Sequence, residues 1–200
     1  MLPYTRRYFE ELIRTGRIAA VTPSDTWYET RKDFGAGQVG MDMPACKNGG
    51  FELLRGRARF EGEILGGCID TMFDMFDGTR YADMPGAIRR YGLFPSAAEW
   101  RGKILLLESS EEKPSPEKYR RALEYLRDAG VFEAVSGVLV GKPMDDAHHA
   151  AYKEALLEVI PDRALPIVCN LSVGHAQPRC ILPLGVHAAV DADAQRIVFA

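Results

Sequence analysis

A glutamate and a histidine in this sequence could form the acid–base part of a catalytic site. Glu108 ends the apolar stretch Ile104–Leu107, which has the length and composition of a buried strand. His175 lies in a Gly-His turn that follows a second such stretch, Pro166–Asn170. A carboxylate bound to one imidazole nitrogen fixes the tautomer, so that the other nitrogen can act as a general base. The pair is therefore a candidate for two members of a triad, although a strand-terminal glutamate can also cap a helix and a Gly-His turn can serve packing alone.

The sequence offers no serine in the right setting to complete a triad. None of the seven serines lies in a Gly-x-Ser-x-Gly elbow, the strand-to-helix turn that exposes a nucleophilic serine. Ser109 and Ser110 directly follow Glu108, and Ser172 is too close to His175 along the chain. On the sequence alone, the triad is incomplete.

Other residues have types that suit ligand binding. Trp27, in a turn rich in Pro, Ser and Asp, could stack on a planar group or fold onto the edge of the core. Gly66 and Gly67 are predicted to open a helix. Their backbone N–H groups could bind an anion such as a substrate carboxylate, or the pair could simply form a tight turn. Lys142 follows an apolar strand and could hold an anion or be solvated.

A metal site is not expected in this chain. His148 and His149 lie beside Asp145 and Asp146, but adjacent residues of a helix point in different directions and do not converge on one ion. We therefore expect no metal and no other cofactor.

Composition excludes some classes of protein. The 200 residues are 46% hydrophobic and 26% charged, as in ordinary globular proteins. A net charge of -3 argues against nucleic-acid binding, and no apolar run approaches the ~20 residues that span a bilayer. The four cysteines show no C-x-x-C spacing, which favours reduced thiols in a cytoplasmic protein.

The elements that must position the candidate residues indicate an α/β fold. Strands and helices alternate over residues 104–170, which predicts parallel βαβ units. The patterns at Phe51–Ile64 and Val186–Phe199 predict antiparallel strands on both flanks. Residues 30–50 are predicted to be a long loop and residues 82–100 an irregular insertion. The predicted fold is a single domain, residues 1–200, built on a mixed sheet with a parallel βαβ core and antiparallel flanking strands.

Several motifs occur in a specific order through nearly the whole chain. They are Pro3–Thr5, Pro23–Ser24 with Trp27, Leu65–Gly67, Gly78–Tyr81, Lys103–Glu108, Gly130–Phe132, Ser136–Pro143, Pro166–Val168, Gly174–Pro178 and Leu182–Gly185. In these motifs the chain resembles the C-terminal domain of the LD-carboxypeptidase family of serine peptidases. That family includes murein LD-carboxypeptidases and microcin C self-immunity peptidases. The resemblance implies the same mixed α/β fold.

The resemblance also implies roles for the candidate pair. The family has a Ser-Glu-His triad, in which Glu108 and His175 match the second and third members. The serine and the oxyanion hole belong to a preceding N-terminal domain, which this sequence lacks. We therefore expect the 200-residue chain alone to be inactive as a hydrolase.

Substrate contacts can be carried over only in part. The family often has an asparagine after the Gly-Gly pair, near the substrate, and this sequence has Cys68 there. Trp27 in its Pro-Ser-x-x-Trp setting is similar to the microcin-immunity subgroup, where an aromatic residue stacks on the nucleotide part of the substrate. The expected substrate-binding residues are Trp27, Gly66, Gly67, Cys68 and Lys142.

The resulting functional hypothesis is half of a serine carboxypeptidase or amidase. Its substrates would be murein L,D-peptides or peptidyl- and aminoacyl-nucleotides such as microcin C. We expect a cytoplasmic homodimer that needs its N-terminal domain and binds neither nucleic acid nor membrane. One alternative is a non-catalytic domain for peptide binding or assembly. Another is a metal hydrolase that uses Glu108, His175 and His148.

Overall fold

The chain forms ten strands and six α-helices in a computed structural model, which describes residues 1–200. The helices are α1 (Pro3–Thr15), α2 (Ile69–Asp77), α3 (Met84–Tyr91), α4 (Ala97–Trp100), α5 (Pro116–Asp128) and α6 (His149–Val159). The strands are β1 (Ala20–Val21), β2 (Thr26–Tyr28), β3 (Ala45–Lys47), β4 (Glu52–Arg55), β5 (Arg59–Cys68), β6 (Ile104–Glu108), β7 (Gly137–Gly141), β8 (Ile167–Leu171), β9 (His187–Asp191) and β10 (Arg196–Phe199).

Eight of the strands form one mixed sheet, in the order β1-β10-β9-β5-β6-β7-β8-β4. The four central strands β5 to β8 are parallel, because α5 and α6 provide the crossovers between β6, β7 and β8. Strand β9 pairs antiparallel with β5 on one side, and β4 pairs antiparallel with β8 on the other. The predicted fold class, with its parallel core and antiparallel flanks, is confirmed.

Strand β6 lies between two hydrophobic cores and contributes to both. Leu105 and Leu107 pack in the core shared with α2, α5 and α6. Ile104 and Leu106 pack on the other face, with α1 and the C-terminal strands. Successive side chains of a strand point to opposite faces, which explains why four aliphatic residues in a row are needed here. Each such fully buried side chain contributes roughly 1.5–3 kcal/mol of transfer free energy.

Two segments contain more regular structure than their sequences suggested. The insertion at residues 82–100 holds α3 and α4, and Ser96 and Glu99 form a reciprocal capping box that starts α4. The segment at residues 30–50 includes β3, which pairs with β2 to form a separate two-stranded hairpin. Trp27 therefore lies in a strand of this hairpin and not in a turn.

The Gly66-Gly67 pair does not open a helix, as the sequence had suggested. Both glycines lie in β5 and pair in parallel with Leu106 and Leu107. A Cβ atom at Gly66 would lie 2.1 Å from the carbonyl oxygen of Leu106, so close strand pairing explains this glycine. Helix α2 begins only at Ile69, with Cys68 as its N-cap.

No helix has the length and apolar character needed to cross a membrane.

The feature of the fold that matters most for chemistry is the common direction of β5 to β8. Their carboxyl ends lie at one edge of the sheet, which is where functional groups gather in open α/β sheets.

Candidate active site

The carboxyl edge of the parallel strands collects most of the residues that the sequence singled out. Cys68 ends β5 and is paired in register with Glu108, the last residue of β6. Lys142 follows β7 directly. The chain after β8 turns through Val173 and Gly174 to His175. The strand order therefore brings together residues that are up to 107 positions apart (175 − 68).

Glu108 and His175 lie within hydrogen-bonding distance of each other. Nδ1 of His175 is 2.8 Å from Oε2 of Glu108. The glutamate side chain is only 11% exposed and the imidazole 34%, so the carboxylate lies beneath the ring and away from bulk water. This arrangement would hold the imidazole in one tautomer and orientation.

Two glycines make room for the glutamate. Gly174 has a φ of +88°, and a Cβ atom there would lie 2.6 Å from Oε2 of Glu108. A Cβ at Gly141, at the end of β7, would lie 3.1 Å from Cβ of Glu108 and 2.8 Å from the carbonyl oxygen of Val173. Glycine is therefore favoured at position 174 for two reasons. The backbone there passes close to the Glu108 carboxylate, and its conformation is left-handed.

The second ring nitrogen of His175 also faces a carboxylate. Nε2 lies 2.9 Å from Oε2 of Glu111, whose side chain is 63% exposed. Glu111 is not among the candidate residues predicted from the sequence. Its only sequence signal was its position in the acidic loop that follows Glu108.

The loop that carries Glu111 is anchored at both ends. The backbone N–H of Ser110 donates to Oδ2 of the buried Asp70, at 3.0 Å. The Lys113 ammonium lies 2.6 Å from Oδ2 of Asp145, which also accepts hydrogen bonds from the backbone and hydroxyl of Thr30. Burial alone would raise the pKa of Asp145, but the hydrogen bonds from Lys113 and Thr30 outweigh it and hold this pKa below its usual value.

Trp27 lies against the same edge, with a lysine over its ring. Nζ of Lys142 is 4.6 Å from the indole centroid. The lysine is only 6% exposed, and its ammonium donates to Asp146 and, at 3.4 Å, to Oδ1 of Asn170. Lys142 is thus buried and paired, and the solvated alternative considered from the sequence does not occur. The ammonium of Lys142 lies over the indole of the half-buried Trp27 in a favourable cation–π geometry.

Cys68 is half-buried, and its thiol faces the Asp70 carboxylate at 3.8 Å. Burial raises the pKa of the Cys68 thiol, which keeps it protonated at neutral pH. Next to it, a Cβ at Gly67 would meet no atom within 4 Å, so this part of the strand end faces open space.

The two adjacent histidines do not form a metal centre. Nδ1 of His149 lies 2.9 Å from Asp146, and burial lowers the pKa of His149. His148 precedes α6 in a left-handed conformation. No group of three or more His, Cys, Asp or Glu side chains is arranged to hold a metal ion.

The Glu108–His175 pair does not line the polar cavity between α2 and α5. A polar cavity of about 740 Å³ lies between α2 and the start of α5, lined by charged residues that include Asp74, Arg80 and Arg121. Neither Glu108 nor His175 contributes to it. The imidazole instead sits at an open edge, with its outward nitrogen directed away from the sheet core and towards Glu111.

The fold that forms this edge is the mixed α/β fold of MccF-like structures. Residues 61–190, more than half of the chain, match the LD-carboxypeptidase C-terminal domain. The chain belongs to the LD-carboxypeptidase family, and most of its curated relatives are named as carboxypeptidases.

Curated relatives support this assignment. A protein of Streptomyces coelicolor named as a carboxypeptidase is 32% identical over 148 residues, which cover 73% of this chain and 41% of that protein. The microcin C7 self-immunity protein MccF of Escherichia coli is 28% identical over 145 residues, 71% of this chain and 37% of MccF. The chain therefore spans about two fifths of the length of these relatives.

Solved structures show the same fold. An MccF-like protein from Streptococcus pneumoniae, solved in complex with AMP, superposes with a TM-score of 0.96 at 54% identity, covering 100% of this chain and 58% of that one. An MccF-like protein from Bacillus anthracis superposes with a TM-score of 0.72 at 23% identity, covering 99% of this chain and 55% of that one, and shows the shared fold alone.

Proposed function

We propose that this chain is the acid–base half of a serine carboxypeptidase or amidase. Glu108 orients His175, and His175 takes the proton from a serine hydroxyl that attacks a peptide or amide carbonyl to form an acyl-enzyme. The observation that carries the proposal is the 2.8 Å contact between the buried carboxylate and Nδ1 of the more exposed imidazole. Family membership supports the reaction class.

The proposed nucleophile comes from outside these 200 residues. Neither ring nitrogen of His175 has a serine partner, since Nδ1 faces Glu108 and Nε2 faces Glu111. The hydroxyls of Ser110 and Ser172 accept hydrogen bonds from backbone N–H groups instead. The serine and the oxyanion hole would belong to an N-terminal domain of the kind that the family carries, and the chain alone would be inactive.

For the substrate we propose an aminoacyl- or peptidyl-nucleotide, with murein L,D-peptides as the second class. The S. pneumoniae relative, 54% identical to this chain, was solved with AMP, and E. coli MccF is named for immunity to microcin C7. Trp27 is half-buried and braced by Lys142, which suits an indole that stacks on a planar base. Gly66, Gly67 and Cys68 would add substrate contacts from the end of β5, on the other side of Glu108 from Lys142.

The assembled enzyme would be a cytoplasmic homodimer that recycles or detoxifies small peptides. All four cysteine thiols are free, the state that a reducing compartment maintains. Size-exclusion chromatography with light scattering on the purified protein tests the dimer directly.

The decisive experiment supplies the nucleophile. The chain is fused to, or mixed with, the serine-bearing domain of a family member, and release of the amino acid from an aminoacyl-sulfamoyl or aminoacyl-phosphoramidate adenosine and from a murein tetrapeptide is followed by mass spectrometry. Glu108→Gln and His175→Ala should each lower the rate by on the order of 10²–10⁴.

His187→Ala is the matched control, because His187 is exposed on β9 and pairs with Glu63, five residues before the end of β5. It should leave the rate unchanged. Full activity of the His175→Ala protein would falsify the proposed mechanism.

A further inference from the structure

His175 is held between two carboxylates, and only one of them has a role in the proposed reaction. Glu108 faces Nδ1 at 2.8 Å and Glu111 faces Nε2 at 2.9 Å. An imidazole donates from both nitrogens only when it is doubly protonated, and in that form it has no lone pair with which to accept a proton. With Glu111 in contact, neither ring nitrogen of His175 is free to accept a proton from a serine.

Glu111 also occupies the place of the proposed nucleophile. A serine hydroxyl activated by His175 must approach Nε2 to about 2.6–3.2 Å. The Glu111 carboxylate already lies within that range. The two oxygens cannot occupy the same position, so the carboxylate must leave before a serine can bind there.

The loop geometry explains why this glutamate, and not its neighbour, reaches the ring. Lys113 donates its backbone N–H to the carbonyl oxygen of Ser110 at 3.2 Å, which closes a turn with Glu111 and Glu112 at its centre. Lys113 has a φ of +49°, an uncommon conformation for a lysine, and its ammonium is fixed to Asp145. The turn directs Glu112 towards Arg80, at 3.9 Å, and leaves Glu111 over the imidazole.

The contact is weak enough to be displaced. The Glu111 side chain is 63% exposed, and exposed ion pairs contribute between zero and about 1 kcal/mol. Glu108, at 11% exposure, remains in place beneath the ring. A docking serine can therefore replace the outer carboxylate without disturbing the inner one.

We propose that Glu111 is a displaceable guard on the base: its carboxylate binds at Nε2 of His175 and occupies the position that the serine hydroxyl needs until the nucleophile arrives. When Glu111 rotates away, Nε2 is open to the serine hydroxyl and can accept its proton. This inference rests on the proposed role of His175 as a base, and it makes Glu111 a positioning residue of that site.

The test measures the reactivity of Nε2 and needs neither a serine nor a substrate. Diethyl pyrocarbonate carbethoxylates unprotonated imidazole, and peptide mass mapping of the modified chain reports the rate at each of the four histidines. Glu111→Ala and Glu111→Gln should both raise the rate at His175 about two- to fivefold, the range that corresponds to an exposed pair of up to about 1 kcal/mol. The exposed His187 serves as the internal reference and should react at an unchanged rate in every variant.

Glu112→Ala is the matched control, because it removes the adjacent acid of the same turn and should leave His175 at the wild-type rate. Added salt provides a second measurement without mutation. The rate at His175 should rise between 0.05 and 1 M NaCl in the wild-type chain, since salt screens an exposed pair, and should stay flat in Glu111→Ala.

Equal rates at His175 in the wild type and in both Glu111 variants would overturn the proposal. A rise in Glu111→Ala without a rise in Glu111→Gln would also overturn it, because the side chain would then only shield the ring. Either result leaves the proposed peptidase function intact. Conversely, the modification rates can be measured and interpreted even if no activity is found with an added serine domain, so the two tests can fail independently.

Discussion

Gly174 lies so close to Glu108 that a Cβ atom on the glycine would be 2.6 Å from the Oε2 atom of the glutamate. The same carboxylate oxygen is 2.8 Å from Nδ1 of His175. Gly174, which precedes His175, and Glu108, which binds it, are thus packed directly against each other. The geometry of the proposed catalytic pair depends on the absence of a single methyl group.

Gly174→Ala should therefore separate the pair. The added methyl would clash with the carboxylate, and the φ of +88° would strain any residue other than glycine. We expect the free energy of unfolding to fall by about 1–3 kcal/mol in urea titrations. With an added serine domain, activity should approach that of Glu108→Gln.

Gly185→Ala is the control for strain alone, since Gly185 has a φ of +73° and nothing within 4 Å of its Cβ position. It should lose stability but keep activity. An active Gly174→Ala protein would show that the carboxylate can move without cost.

Lys142→Met should disturb Trp27 and the loop after β7 together. The change removes the cation over the indole and leaves the Asp146 carboxylate without its ammonium partner. The expected loss is about 1–3 kcal/mol in the free energy of unfolding, because Asp146 is partly solvated. In ¹⁵N-resolved NMR spectra, the indole N–H peak of Trp27 should move, whereas that of Trp100, buried in the core shared with α2, α5 and α6, should not.

Lys153→Met is the comparison for Lys142→Met, because Lys153 pairs with Glu52 at a more exposed position. It should change stability by less than about 1 kcal/mol. An unmoved Trp27 signal in Lys142→Met would contradict the bracing role of the lysine.

The anchor of the Glu111 loop should weaken in acid. Hydrogen bonds from Lys113 and Thr30 outweigh burial and hold the pKa of Asp145 below that of an unfolded aspartate, about 3.9. Because the folded-state pKa is the lower one, this contribution to stability is fully present above about pH 5. It is lost as the pH falls through the folded-state value.

Urea titrations between pH 2.5 and 7 can measure this dependence. Asp145→Asn should be less stable than the wild type at neutral pH, and the two curves should converge at the acid end. For Asp193→Asn, at an exposed turn position, the plot of unfolding free energy against pH should stay parallel to that of the wild type throughout. Curves for Asp145→Asn that stay parallel to the wild type would contradict the anchor.

The convergence of Glu108 and His175 could be predicted because it follows from topology. Two apolar strands in a run of βαβ units must be parallel, so the residues that follow them meet at one edge. One local signal in the sequence indicated structure within residues 82–100, namely the Ser96-x-x-Glu99 capping box of α4. The Gly66-Gly67 pair was predicted to open a helix, and its position in β5 depends on the long-range pairing with Leu106 and Leu107.

Other features could not be read from the sequence. The direction of the Glu111 side chain depends on the turn that Lys113 closes in a left-handed conformation, and lysine rarely adopts that conformation. The position of Lys142 over Trp27 depends on a two-stranded hairpin that forms between segments separated by a long connection. Such contacts depend on tertiary packing and not on local propensity.

The loop that leaves β7 has left-handed backbone at Asp145, Asp146 and His148, with φ values of 56°, 58° and 56°. Each such residue costs of order 1–2 kcal/mol, and helix α6 then starts without a side-chain cap. This stored strain is released whenever the loop opens locally, so opening here costs less than global unfolding. In native-state hydrogen exchange, amides of residues 145–149 should therefore exchange well before those of β6, and the same opening would release the Lys113–Asp145 contact that anchors the Glu111 loop.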